Sequence, residues 1–173
     1  MLPKLTLALG GAASGKSVWA EKLLLSSGLR PVYIATSRIF DDEIKMRVEE
    51  HKSRRSDQWT NFEADLDLSP SLSQLHAGQG VLVDCATMWL SNQMLDQRNV
   101  AAAQNDLLAA LHAAQVPVIV VSNEVGHGIV PDNALSREFR EAQGRLNIAL
   151  AAQSDLTVMV IAGLPSVLKG EMP

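Results

Sequence analysis

Five short runs of β-branched and other apolar residues punctuate the chain: Leu5–Leu9, Val32–Ala35, Val81–Asp84, Val118–Ser122 and Thr157–Ile161. They are continuously apolar rather than alternating, the pattern of strands buried on both faces of a parallel sheet. Between them, apolar positions recur at helical spacing over Lys16–Ser26, Asp41–Arg55, Thr87–Gln97, Val100–Ala114 and Ala134–Ala152. Strands alternating with helices predict βαβ units, hence an α/β fold of three layers around a mostly parallel central sheet. Right-handed crossovers would place the strand C-termini, with the loops that follow them, on one edge. Polar residues just after a strand are therefore the candidates for a site. Ser69–Gly80 reads as a connection with room for one helical turn, and Pro165–Pro173 as a weakly ordered tail.

The first of these loops carries the sharpest pattern. Gly10-Gly11-Ala12-Ala13-Ser14-Gly15-Lys16-Ser17 fits G-x-x-x-x-G-K-[ST], with a strand before it and a helix (Trp19, Ala20, Leu23, Leu24) after it. In that setting the motif is a phosphate-binding P-loop, and the fold becomes a P-loop NTPase domain. The glycines let the backbone wrap closely, so that successive N–H groups and the helix N-terminus point at one phosphate chain. Lys16 adds charge at the terminal phosphates, and the Ser17 hydroxyl is placed to ligate Mg²⁺. The predicted ligand is a nucleoside triphosphate.

Composition narrows the picture. A chain of 173 residues, 47% apolar and 20% charged, predicts a single globular domain spanning 1–173, to which the P-loop assigns nucleotide binding. Its formal charge of −4 gives no global attraction to nucleic acid or an anionic membrane. The single cysteine, Cys85, excludes an internal disulfide, and no apolar run is long enough for a membrane span. Met1 to Leu9 already reads as strand rather than as a secretion signal, so the expected location is cytoplasmic.

Asp84 ends the third apolar run, where P-loop proteins hold a second Mg²⁺ contact; it is equally suited to cap the helix that follows. Ala35-Thr36-Ser37 should lie beside the P-loop, as nucleotide contacts or as a simple turn. Lys45, Arg47, Lys52, Arg54 and Arg55 surround His51, five of the fifteen Lys and Arg within eleven residues. Glu49 and Glu50 leave that stretch at +3 in an otherwise acidic chain. On a helix, Arg47, His51 and Arg55 share one arc. Neighbouring cations would keep the imidazole neutral and nucleophilic and would compensate an arriving phosphate. From residue chemistry alone, a solvated charged face explains the same pattern. His76 and His112 read as surface or packing residues. His127, in Asn123-Glu124-Val125-Gly126-His127-Gly128, lies near the active edge, although its paired glycines also suit a tight turn. No zinc-site spacing and no G-x-S-x-G elbow is present.

Four blocks together resemble the bifunctional adenosylcobinamide kinase / adenosylcobinamide-phosphate guanylyltransferase family of adenosylcobalamin biosynthesis. They are the P-loop; Tyr33-Ile34-Ala35-Thr36-Ser37 with Asp41-Asp42-Glu43; Arg47 to Arg55 with Trp59 and Glu63; and Ser122 to Pro131. The last continues into Arg137-Glu138-Phe139-Arg140 and Gly144-Arg145-Leu146-Asn147. The resemblance implies two reactions. The first phosphorylates the aminopropanol hydroxyl of adenosylcobinamide with ATP or GTP. The second transfers GMP from GTP to adenosylcobinamide phosphate through a guanylylated histidine, releasing pyrophosphate. The position matching that histidine is His51. By the same carry-over Ala35, Thr36, Ser37, Lys52, Ser53, Arg54, Arg55, Glu63 and Asp84 contact the guanine nucleotide, and the assembly is a homotrimer. Ser56, where the family has proline, and Asn61, where it has threonine, depart from the pattern.

Two other readings fit the P-loop alone. One is a simple small-molecule kinase without guanylyl transfer, with His51 a bystander. The other is a nucleotide-switched regulatory protein, against which stands the lack of an N-K-x-D base-recognition motif.

Overall fold

The structure, a computed structural model, describes residues 1–38 and 58–173. Among the described residues, seven strands form one sheet in the order β3-β2-β4-β5-β1-β6-β7. They are β1 Leu5–Gly10, β2 Arg30–Ala35, β3 Thr60–Glu63, β4 Gln79–Asp84, β5 Val118–Asn123, β6 Leu156–Ile161 and β7 Leu164–Lys169. All neighbours run parallel except β7, which is antiparallel to β6. The five apolar runs are therefore the five central strands, as their unbroken hydrophobicity required.

The strands' two faces take different partners. Leu5, Leu7, Leu9, Val81, Val83, Val118 and Val120 pack with residues of α3 (Ala86–Leu95), α4 (Val100–Ala113) and α5 (Ala134–Gln153). Ala8, Tyr33, Leu82, Ile119 and Val121 pack on the opposite face with Ala20 and Leu24 of α1 (Lys16–Ser26). Leu7, Leu82 and Leu24 are fully buried, each contributing roughly 1.5–3 kcal/mol on removal from water. The connection after β3 holds one short helix, α2 (Ser69–Ser73).

Two strands differ from the sequence reading. β3 is a four-residue edge strand, Thr-Asn-Phe-Glu, mostly exposed, with no apolar run to announce it. Residues 165–173, expected as a weakly ordered tail, instead supply most of β7. Its signal is weak because all six residues are exposed at the open edge. The hairpin before it turns through Ala162 and Gly163, both at positive φ (53° and 78°), as a two-residue turn matched to strand twist requires. The predicted helix Asp41–Arg55 lies outside the described residues. Among those described, no helix is long and apolar enough to cross a membrane.

Candidate active site

The P-loop is built by close backbone approach. A Cβ on Gly10 would strike Ser14 Oγ and stand 2.7 Å from the Val160 carbonyl oxygen. Gly15 sits at φ +89°, where a Cβ would come within 2.9 Å of the Gly163 Cα. Ser14 N donates to the Gly11 carbonyl (3.3 Å), and Gly163 N donates to the Ser14 carbonyl (2.8 Å). The β6–β7 turn thus buttresses the loop. Helix α1 starts at Lys16 with no side-chain cap and no acid in its first turn. Its leading N–H groups are left for an anion, which the helix dipole also favours.

Lys16 is only 9% exposed, its ammonium donating to the Gly11 carbonyl at 3.0 Å. Burial lowers its pKa, while Cys85 and Asp84 act against that shift. Asp84 ends β4 and lies within electrostatic reach of Lys16. The cap of the following helix is not Asp84 but Cys85, whose sulfur accepts from Met88 N at 3.4 Å. Burial, followed by the charge of Asp84, pushes the Cys85 thiol up to about 11. It is a protonated packing and capping residue at neutral pH.

Three predicted site residues share one row. Ala35 pairs with Glu63 on one side and with Asp84 on the other, so the ends of β3, β2 and β4 are level. Thr36, next in the chain, is bonded to both strand ends. Its buried hydroxyl donates to the Cys85 carbonyl (2.7 Å) and accepts from Cys85 N (2.8 Å). Its own N–H donates to the Asp84 carbonyl, and its carbonyl accepts from Asn92 Nδ2. With every polar group engaged, Thr36 clamps the end of β2 to the end of β4. Ser37 follows, half-buried. His51, Lys52, Ser53, Arg54 and Arg55 lie outside the described residues.

Sequence reasoning passed over several residues at this edge. Arg38 donates to Asp65 (2.5 Å) and, through both terminal nitrogens, to Asp96 (2.7 and 2.8 Å). Asn92 donates to the carbonyls of both Thr36 and Asp65, tying the same loops from inside α3. The only sequence signal was adjacency, since Arg38 follows Ala35-Thr36-Ser37 and Asp65 follows Glu63. The loop after β5 is also held from behind. Glu124 N donates to the Gly10 carbonyl (3.0 Å), and the Glu124 carboxylate accepts from Gly126 N (2.5 Å). Arg140 donates to the carbonyls of Gly126, Gly128 and Ile129, and Arg137 to those of Pro131 and Asp132. Arg137 and Arg140 of α5 thus brace the loop that follows the Asn-Glu-Val-Gly stretch. His127 is exposed in that loop, and His76 and His112 are exposed elsewhere.

A divalent cation fits the donors present. The Ser17 hydroxyl and the Asp84 carboxylate are hard oxygen ligands of the kind Mg²⁺ shares with substrate phosphates. No larger cluster of acidic, histidine or cysteine side chains forms among the described residues.

A family model described as cobinamide kinase / cobinamide phosphate guanyltransferase matches residues 6–168. The bifunctional adenosylcobalamin biosynthesis protein CobP of Pseudomonas aeruginosa is 42% identical, covering 95% of this chain and 97% of that protein. The proteins called CobU of Salmonella typhimurium and Escherichia coli are 36% and 34% identical, each over 91% of this chain and 96% of the relative. Among solved structures, an ATPase of a bacterial type III secretion system superposes with TM-score 0.58. It is 10% identical, covering 96% of this chain and 57% of that one, a likeness of fold alone.

Proposed function

The chain belongs to the cobinamide kinase / cobinamide phosphate guanyltransferase family, an enzyme family of cobalamin biosynthesis, and we propose that it carries out both reactions by the following route. The observation that carries the reading is a family match from residue 6 to 168 around an uncapped, Lys16-bearing helix N-terminus built to hold phosphates. In the first reaction the aminopropanol hydroxyl of adenosylcobinamide attacks the γ-phosphorus of ATP or GTP, and the bond to the β-phosphate oxygen breaks. The backbone N–H groups of residues 10–17 and the Lys16 ammonium hold the β- and γ-phosphates. Ser17 and Asp84 would hold Mg²⁺, which when bound neutralises charge on those oxygens.

In the second reaction an imidazole nitrogen of His51 attacks the α-phosphorus of GTP and pyrophosphate leaves from the P-loop. The phosphate of adenosylcobinamide phosphate then attacks the resulting phosphoramidate, giving adenosylcobinamide-GDP and freeing His51. Two displacements replace one difficult transfer. Support for His51 is its sequence block, with Lys52, Ser53, Arg54 and Arg55 beside it to meet the nucleotide. Ala35, Thr36, Ser37, Glu63 and Asp84 complete the proposed nucleotide contacts; in their support, Ala35, Glu63 and Asp84 stand level at the ends of β2, β3 and β4. Assembly as a homotrimer in the cytoplasm belongs to the same proposal. It is supported by the apolar residues Ile161, Leu164 and Leu168, all more than half exposed on the open β6–β7 edge.

The test uses α-labelled GTP. Wild-type protein should acquire acid-labile, base-stable label that adenosylcobinamide phosphate discharges, and His51→Ala should acquire none. Undiminished labelling of His51→Ala would remove the intermediate; phosphorylation of cobinamide without any labelling would favour a simple kinase.

A further inference from the structure

Asn123 belongs to the sequence block that marks the family, yet neither reaction above gives it a task. It ends β5, the strand lying between β1, which leads into the P-loop, and β4, which ends in Asp84. Asn123 pairs in register with Gly10, while Asp84 pairs with Val121. Asn123 therefore stands level with the first P-loop residue and two residues, about 7 Å, beyond Asp84. Strand side chains alternate between faces. Ile119 and Val121 pack on the α1 face, so the Asn123 side chain falls on that face too, with Asp84 and the P-loop helix. Ser122 points the opposite way, into α5.

The main chain of Asn123 is locked from the far face. Its N–H donates to Thr87 Oγ1 of α3 (2.8 Å), and its carbonyl accepts from Asn147 Nδ2 of α5 (3.0 Å). Asn147 is fixed in turn by the Ser122 hydroxyl (2.6 Å) and by Gln143 Nε2 (3.0 Å), within a buried network. Two helices thus fix the main chain that carries the carboxamide. Its Oδ1 is buried and lacks a hydrogen-bond partner among the described residues. Ser14 Oγ, in the P-loop itself, shares that condition. Buried polar atoms are nearly always bonded, so a buried, unpartnered Oδ1 beside a phosphate-binding loop points to a partner from the ligand.

We propose that the Asn123 carboxamide is a catalytic group of the kinase step, contacting the terminal phosphoryl group and the hydroxyl that attacks it. Its NH₂ donates to a γ-phosphate oxygen while Oδ1 accepts from the attacking hydroxyl, aligning oxygen and phosphorus. The new O–P bond forms as the γ-phosphorus bond to the β-phosphate oxygen breaks. The diphosphate leaves, and the hydroxyl proton passes to a phosphoryl oxygen. In guanylyl transfer the γ-phosphate departs inside pyrophosphate, so the same contact there affects binding only. The inference rests on the P-loop grip proposed above and is independent of His51.

Calorimetry with ATP and ADP on full-length Asn123→Ala, combined with kinase and GTP-labelling assays, tests it. A lost hydrogen bond to a charged group predicts roughly a ten- to hundredfold fall in kinase kcat. ATP affinity should fall while ADP affinity and the rate of label uptake from α-labelled GTP at saturation stay within about threefold of wild type. The near-isosteric Asn123→Asp, which sets a negative charge against the γ-phosphate, should likewise weaken ATP more than ADP and guards against a folding defect. Equal loss of ATP and ADP affinity, or an unchanged kinase kcat, overturns the proposal. If wild-type protein never labels but the ATP-over-ADP pattern holds, the guanylyl reading fails and Asn123 keeps its role.

Discussion

Gly15 and Gly163 come from opposite ends of the chain and meet at the phosphate-binding loop. A Cβ on Gly15 would lie 2.9 Å from the Gly163 Cα, and Gly163 N bonds the carbonyl of Ser14. The β6–β7 hairpin is thus part of what shapes the loop, although no residue of the P-loop motif belongs to it.

Replacement of Gly15 by alanine should weaken nucleotide binding at least tenfold and lower Tm by several degrees. The left-handed conformation alone costs an L-residue roughly 1–2 kcal/mol, and the Cβ also displaces the hairpin. Gly163→Ala is the contrast: its φ is +78°, but nothing lies within 4 Å of the added atom. It should cost strain only and leave binding nearly intact. Calorimetric titration of both variants decides, and equal loss in the two would refute the role of the close contact.

Lys16 is held charged in a site that burial makes unfavourable for charge. Lys16→Met should bind nucleotide more than a hundredfold more weakly, yet the ligand-free variant should melt no lower than wild type. Removing a buried ammonium relieves its desolvation, and methionine refills the volume. Wild type should then gain stability with saturating nucleotide, about 2.7 kcal/mol at a hundredfold excess over Kd, while the variant gains almost none. A ligand-free Lys16→Met that melts well below wild type would show that the ammonium is a structural prop.

Cys85 should make stability fall at high pH. The unfolded thiol loses its proton near 9.0, whereas the folded thiol keeps its own up to about 11. Between those values the folded state binds more protons, so stability declines as pH rises and levels off above about 11. The drop is at most ~3 kcal/mol. Cys85→Ser, which retains an N-cap acceptor, should lack it, so subtracting its denaturation curves from those of wild type isolates the effect. A flat difference across pH 8.5–11.5 would contradict the assignment.

The five central strands, the P-loop and the helix it opens were all legible in the chain. Each rests on local order: continuous apolar runs at Leu5–Leu9 or Val118–Ser122, and a loop whose eight residues carry their own chemistry. β3 and β7 were not legible, because edge strands expose one side and need no hydrophobic run; β7 is exposed along its whole length. The same distinction holds in the site. Asp84 was visible as an acid ending an apolar strand, but that Cys85 rather than Asp84 caps α3 depends on where the strand delivers the helix. Thr36 was visible as a hydroxyl beside the P-loop, and that it clamps two strand ends together followed only from the tertiary structure.

By itself, then, the sequence determined the ligand class, the layered α/β architecture and the family, because each is written in contiguous residues or in a fixed period. Tertiary structure decided which distant residues cooperate. Arg38 reaches Asp96 across 58 positions, Gly163 buttresses a loop that ended at Ser17, and Asn147 fixes the main chain of Asn123. Such pairings are set by strand order and by the face toward which each side chain alternates, and sheet order does not follow chain order.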